Sequence, residues 1–234
     1  MLKHYLRGAR NVLLWKLEGL SERELRIPLT PTGTNLLGLV KHAVNTEVIY
    51  LGPTFGREWP TPDELVSPDD PDPLAGWYAT EAETAAGMVD LYRRVQAFAD
   101  HTIDALPLAA TRHVAHWGGE EVTLHEIMVH KTADLQRHAG HVDILREQLD
   151  GSVGLRPGHS NMPDVTDWPA HAQRLAGARP ATGGDRRTIR LSSVRDLSRP
   201  RSVRQNALTP SPDQPALRAA PLARSMPLSA QPHR

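Results

Sequence analysis

Apolar residues in the first 150 positions recur every three or four residues along four long stretches, the spacing that lays one buried stripe on a helix. The first stripe, over residues 2–18, is Leu2, Tyr5, Leu6, Ala9, Val12, Leu13 and Leu17. The second runs from about Asn35 to Leu51 and ends at Gly52-Pro53. The third is Met88, Leu91, Tyr92, Val95, Phe98, Ala99, Thr102 and Ile103, stopped by Pro107. The fourth is Leu124, Ile127, Met128, Leu135, Val142, Leu145 and Leu149, ahead of Asp150-Gly151. Ser21 with Glu24, Thr80 with Glu83 and Thr123 with Glu126 are capping-box pairs, so a short helix is predicted after 21 and long ones after 80 and 123. Gly118-Gly119 inside residues 108–121 predicts a short hairpin.

These elements predict an all-α fold, a four-helix bundle with a long inter-helix loop at 52–79. Loops of that length are uncommon in compact domains and are often functional. Trp59 and Trp77 are expected to tie it down. Three segments follow: 1–151 as the bundle, 152–178 as an extension packing on it with a short helix near Trp168–Leu175, and 179–234 as a tail.

Charge sharpens that division. Residues 1–178 hold 16 Lys+Arg against 24 Asp+Glu, whereas 179–234 hold 11 Arg, three Asp and neither Lys nor Glu. The tail also carries eight prolines and no aromatic residue, a composition that cannot offset ordering entropy, so disorder is expected there. An acidic body with a basic tail excludes a folded nucleic-acid-binding domain, and no specific nucleic-acid partner is expected. With no cysteine, disulfides and thiolate ligands are excluded, and any metal must use nitrogen and oxygen. No apolar run is long enough to span a membrane and no signal peptide is expected, so a cytoplasmic location is anticipated. Nucleophile-elbow, phosphate-loop and dinucleotide motifs are all missing.

Candidate chemistry concentrates in His130, Asp134, His138 and His141, spaced by four, four and three residues. Asp134 and His138 share one helix face and can reach one ion together. A third ligand must come from elsewhere, and His42, in the apolar stretch from Leu36 to Val44, is the candidate. Two histidines and a carboxylate suit Zn²⁺ first, with Ni²⁺, Fe²⁺ or Mn²⁺ as alternatives. With 12 histidines in the chain, an acid–His pair at this spacing also arises by chance. His42 equally fits a hydrogen-bonded core residue, so spacing leaves both readings open. His125, His130 and His141 are read as solvent-facing or as orienting a ligand, and His113 and His116 as solvated loop residues.

The chain resembles the DinB-like superfamily of metal-binding four-helix bundles, in an actinobacterial branch of undefined function. The resemblance is carried by residues 13–21 (Leu13 to Ser21), 30–42 (Thr30 to His42), Tyr50-Leu51-Gly52, Phe55-Gly56-Arg57, and 137–147 from Arg137-His138 to Glu147. It covers about residues 1–178. It implies a metal site in which a histidine of the second bundle helix joins a carboxylate-x-x-x-His motif of the last one, roles that fall on His42, Asp134 and His138. The carboxylate is usually Glu in such relatives, and Asp134 is one methylene shorter. The superfamily includes mycothiol- and bacillithiol-type thiol S-transferases and a mycothiol-dependent maleylpyruvate isomerase, whose extra C-terminal domain has no counterpart here. The implied function is a metal-dependent transferase that activates a mycothiol-type low-molecular-weight thiol for conjugation to a small electrophile, with a homodimer by analogy. The alternatives are a non-catalytic metal-binding stress protein and a metal-free helical interaction module. No catalytic side chain beyond the metal ligands is assigned.

Overall fold

Each long apolar stripe becomes a helix in the computed structural model, which describes residues 1–163 and 167–178. In chain order the elements are α1 (Leu2–Trp15), α2 (Glu22–Arg26), α3 (Leu36–Leu51), α4 (Ala85–Ala105), β1 (Thr111–Val114), β2 (Glu120–Thr123), α5 (Leu124–Asp150) and α6 (Trp168–Gly177). The described residues are thus mostly helical, and the strict all-α expectation is corrected by one antiparallel hairpin pairing Thr111 with Thr123 and Val114 with Glu120. Contacts divide the chain into Met1–His171 and Ala172–Arg234. The expected tail at 179–234 lies outside the described residues. No helix among the described residues is long and apolar enough to cross a membrane.

Local chemistry sets the helix ends. Ser21 and Thr123 each accept the backbone N–H of the third helical residue, while Glu24 and Glu126 bond back to the cap. The Asn35 side chain accepts from Gly38 N–H and opens α3. Gly151 closes α5 in the left-handed conformation, at φ 77°, where a glycine carries no Cβ penalty. The capping box expected at Thr80 is not the start of α4. Glu83 instead takes the Lys41 ammonium at 2.8 Å and the Thr80 N–H at 2.6 Å, and Thr84 caps the helix by accepting from Gly87. Glu83 makes the bond back to Thr80 and the ion pair to α3 together, but the helix begins one turn later, and the connection after α3 runs on to Thr84.

Leu6 and Leu13 of α1, Leu37 and Val40 of α3, Tyr92 and Val95 of α4, and Leu135 and Val142 of α5 share one buried core. Helix α3 packs on both α4 and α5, and α1 on α5. Salt bridges from Lys3 and Arg7 to Asp100 join α1 to α4. Tyr5, assigned to the first stripe, is 56% exposed; Arg10 is 1% exposed and takes a buried place in its stead.

The long connection is fastened at several points. Trp59 is buried with its ring edge-on to Phe98 of α4, at 5.3 Å between centroids. Val66 N–H donates to Asn45 Oδ1 of α3 at 2.9 Å. Arg26 of α2 donates to the carbonyls of Ala79 and Thr80, each at 2.9 Å, and to that of Glu83. Short helical turns at Pro53–Phe55, Pro62–Glu64 and Ala75–Trp77 use up much of its length. The last of these reaches the candidate site.

Candidate metal centre

Helix α3 carries His42 halfway along its length, and α5 carries Asp134 and His138 one turn apart. Packing of α3 on α5 brings the three together: one ligand atom from each lies within 4.8 Å of the others, so the cluster could hold a metal ion. The His42 and His138 rings meet edge-to-face with centroids 4.8 Å apart. Asp134 Oδ1 lies 3.4 Å from His138 Nε2. His130, spaced like a ligand in the sequence, is outside this cluster; its ring packs with those of Tyr50 and Trp117, each at 4.8 Å. His116 is exposed in the turn between the strands, as expected of a solvated loop residue, and also bonds Tyr50 Oη through Nε2 at 2.9 Å.

Electrostatics prepare the donors. Burial, reinforced by the positive charge His138 can carry, lowers the His42 pKa to about 4, so its imidazole is neutral with a lone pair available near pH 7. Burial pushes the Asp134 pKa upward, but the His138 hydrogen bond and the Lys131 charge together outweigh it and hold the carboxyl ionised, well below its ordinary range. His138 Nδ1 lies 3.3 Å from His141 Nδ1, which leaves Nε2 as the nitrogen facing Asp134. Two imidazole nitrogens with one carboxylate are a donor set that suits a divalent ion.

Three neighbours of the triad were not marked as site residues by sequence reasoning. Lys131 is fully buried and donates to Asp134 Oδ2 at 2.7 Å and to Thr46 Oγ1 at 2.8 Å. Its signal was present: it occupies the gap between Met128 and Leu135 in the apolar stripe of α5. Thr46 in turn donates to the His42 carbonyl at 2.9 Å. Trp77, expected only as an anchor, stacks on the His42 ring at 3.8 Å and 15° and meets His138 at 5.9 Å.

Trp77 also helps line a cavity of about 360 Å³, with Thr34, Asn35 and Leu39 on one side and Leu74 and Tyr78 among the others. The close fit of that turn depends on Gly38. A Cβ there would lie 1.9 Å from the Trp77 carbonyl oxygen. No sequence periodicity announces such a contact, because it joins residues that are far apart in the chain.

Comparison with curated proteins and with solved structures finds no match. A family model described as mycothiol S-transferase does match, over residues 1–151, which contain every residue of the cluster. That match spans more than half of the chain, and the protein belongs to the mycothiol S-transferase family.

Proposed function

We propose that this protein is a metal-dependent transferase that joins a low-molecular-weight thiol of the mycothiol type to a small electrophile, on a DinB-like four-helix bundle. The observation that carries the reading is the meeting of His42, Asp134 and His138 from two helices within 4.8 Å, in a chain of the mycothiol S-transferase family. His42, Asp134 and His138 would hold the ion, Zn²⁺ before Ni²⁺, Fe²⁺ or Mn²⁺. Bound there, a divalent ion supplies Lewis acidity that lowers the pKa of a thiol, so that it reacts as the nucleophilic thiolate.

The protein's own residues do the rest. Burial keeps His42 unprotonated, and the Trp77 indole stacked on it fixes the plane of the ring. For His138 to present the Nε2 lone pair it must carry its proton on Nδ1, donated to His141. His141 suits that role, because burial and the Arg137 charge lower its pKa and favour the neutral, accepting ring. The cavity beside Trp77 would take the apolar body of the electrophile against Leu39, Leu74 and Tyr78. The long connection after α3 would thus wall the substrate site.

One observation favours a second reading. The Lys131–Asp134 pair at 2.7 Å satisfies the carboxylate within the protein, as a metal-free helical module would require. Elemental analysis of the purified protein separates the two. The transferase reading expects about one equivalent of a divalent metal and thiol conjugation to a generic electrophile, with His42→Ala losing both. Conjugation at equal rates in the wild type and His42→Ala would reject it.

A further inference from the structure

Lys131 stands where the core stripe of α5 calls for an apolar side chain, and it is completely buried. An ammonium taken out of water is strongly disfavoured unless its partners are well placed. Those partners come from two helices. Thr46 Oγ1 of α3 accepts at 2.8 Å, Asp134 Oδ2 accepts at 2.7 Å, and the Tyr50 ring lies 5.7 Å away. The Thr46 contact anchors the ammonium from the facing helix, so Lys131 is a fixed part of the site.

The consequence falls on Asp134. Its two oxygens are committed differently: Oδ2 takes the charge-assisted bond from Lys131, and Oδ1 faces His138 Nε2 at 3.4 Å. A carboxylate free at both oxygens can grip one ion through both and raise its coordination number, whereas one already holding an ammonium offers a single donor. Zn²⁺ is content with four ligands including nitrogen, while Mn²⁺ prefers six, mostly oxygen. We propose that Lys131 is a positioning residue that restricts Asp134 to one donor oxygen, keeps the centre low-coordinate, and so biases it toward Zn²⁺ over Mn²⁺. This inference rests on the reading of His42, Asp134 and His138 as metal ligands.

The experiment compares the full chain with its Lys131→Met and Lys131→Arg variants. Zn²⁺ and Mn²⁺ affinities are read by competition with a chromophoric chelator, and coordination by the visible absorption of added Co²⁺. The expected result is that Lys131→Met narrows the Zn²⁺-to-Mn²⁺ affinity ratio by about tenfold or more, the scale of effect known for residues bonded to metal ligands. Its cobalt absorption weakens as the coordination number rises, and Lys131→Arg, which keeps the donated charge, retains the wild-type ratio. A purely structural role would lower both affinities together and leave the ratio alone. An unchanged ratio and spectrum in Lys131→Met overturns the inference while leaving the triad intact. A wild-type chain that binds no ion overturns the triad and the inference together. If circular dichroism shows Lys131→Met unfolded, the wild-type cobalt spectrum decides. Intense, low-coordinate absorption supports the inference, and weak six-coordinate absorption overturns it.

Discussion

Burial and the charge of His138 hold the His42 imidazole at a pKa of about 4, against an ordinary 6.5. The sign of the pH dependence follows. The unfolded chain takes up a proton near pH 6.5 and the folded one does not until about pH 4, so the contribution to stability is complete above 6.5 and lost as pH falls through that window. Asp134 also has a depressed pKa, but its contribution is lost only below the ordinary aspartate range, and the two effects occupy different intervals. His116, His130 and His141 shift in the same direction as His42 and add to its slope. Urea midpoints measured with chelator present should therefore fall between about pH 6.5 and 4, and His42→Gln should flatten part of that fall. A midpoint insensitive to pH across this window would contradict the burial argument.

At the scale of elements, the turn at Ala75–Trp77 is held to α3 by the bare Cα of Gly38. Alanine is worth roughly 1 kcal/mol more than glycine inside a helix, so a change to Ala would stabilise α3 considered alone. The neighbour in the way is the Trp77 backbone carbonyl, which cannot swing aside as a flexible side chain would. The clash wins, because forcing extra carbon into a packed contact costs about 1–3 kcal/mol. Gly38→Ala should lower the denaturation free energy by about 1 kcal/mol or more net, shift tryptophan emission as Trp77 leaves the His42 ring, and weaken metal binding. Unaltered stability together with unaltered emission would mean that the turn is not seated where the structure puts it.

Across the whole molecule, a buried ionic cluster ties three helices below the core surface. Arg10 of α1 is 1% exposed and Glu47 of α3 is 0% exposed, and Arg10 Nη2 lies 2.5 Å from Glu47 Oε1, close enough for an ion pair though not aligned as a hydrogen bond. Arg10 Nη1 also donates to Asp100 of α4 at 2.7 Å, and Tyr92 Oη donates to Glu47 Oε2 at 3.3 Å. Removing Glu47 leaves the buried Arg10 charge compensated only in part, by Asp100, and breaking a buried pair costs about 3–5 kcal/mol. Glu47→Ala should lose stability on that scale in chemical denaturation, and the paired replacement Arg10→Met with Glu47→Leu should cost less than the single change. The reverse order would show that the pair itself, rather than its completeness, holds the helices together.

The amino-acid sequence by itself determined the long helices, most of their buried faces, the hairpin and the capping boxes at Ser21 and Thr123, because periodicity and caps act within a few residues of one another. It also placed Asp134 and His138 on one helix face, since a four-residue spacing settles that locally. The arrival of His42 beside them, the stacking of Trp77, the burial of Lys131 and the displacement of the α4 cap from Thr80 to Thr84 were decided only by tertiary structure. These depend on groups brought together from distant parts of the chain, as where the Trp77 carbonyl rests against Gly38 or Lys41 of α3 reaches Glu83. Short-range spacing cannot encode which helix faces which, and at this site that choice sets the chemistry.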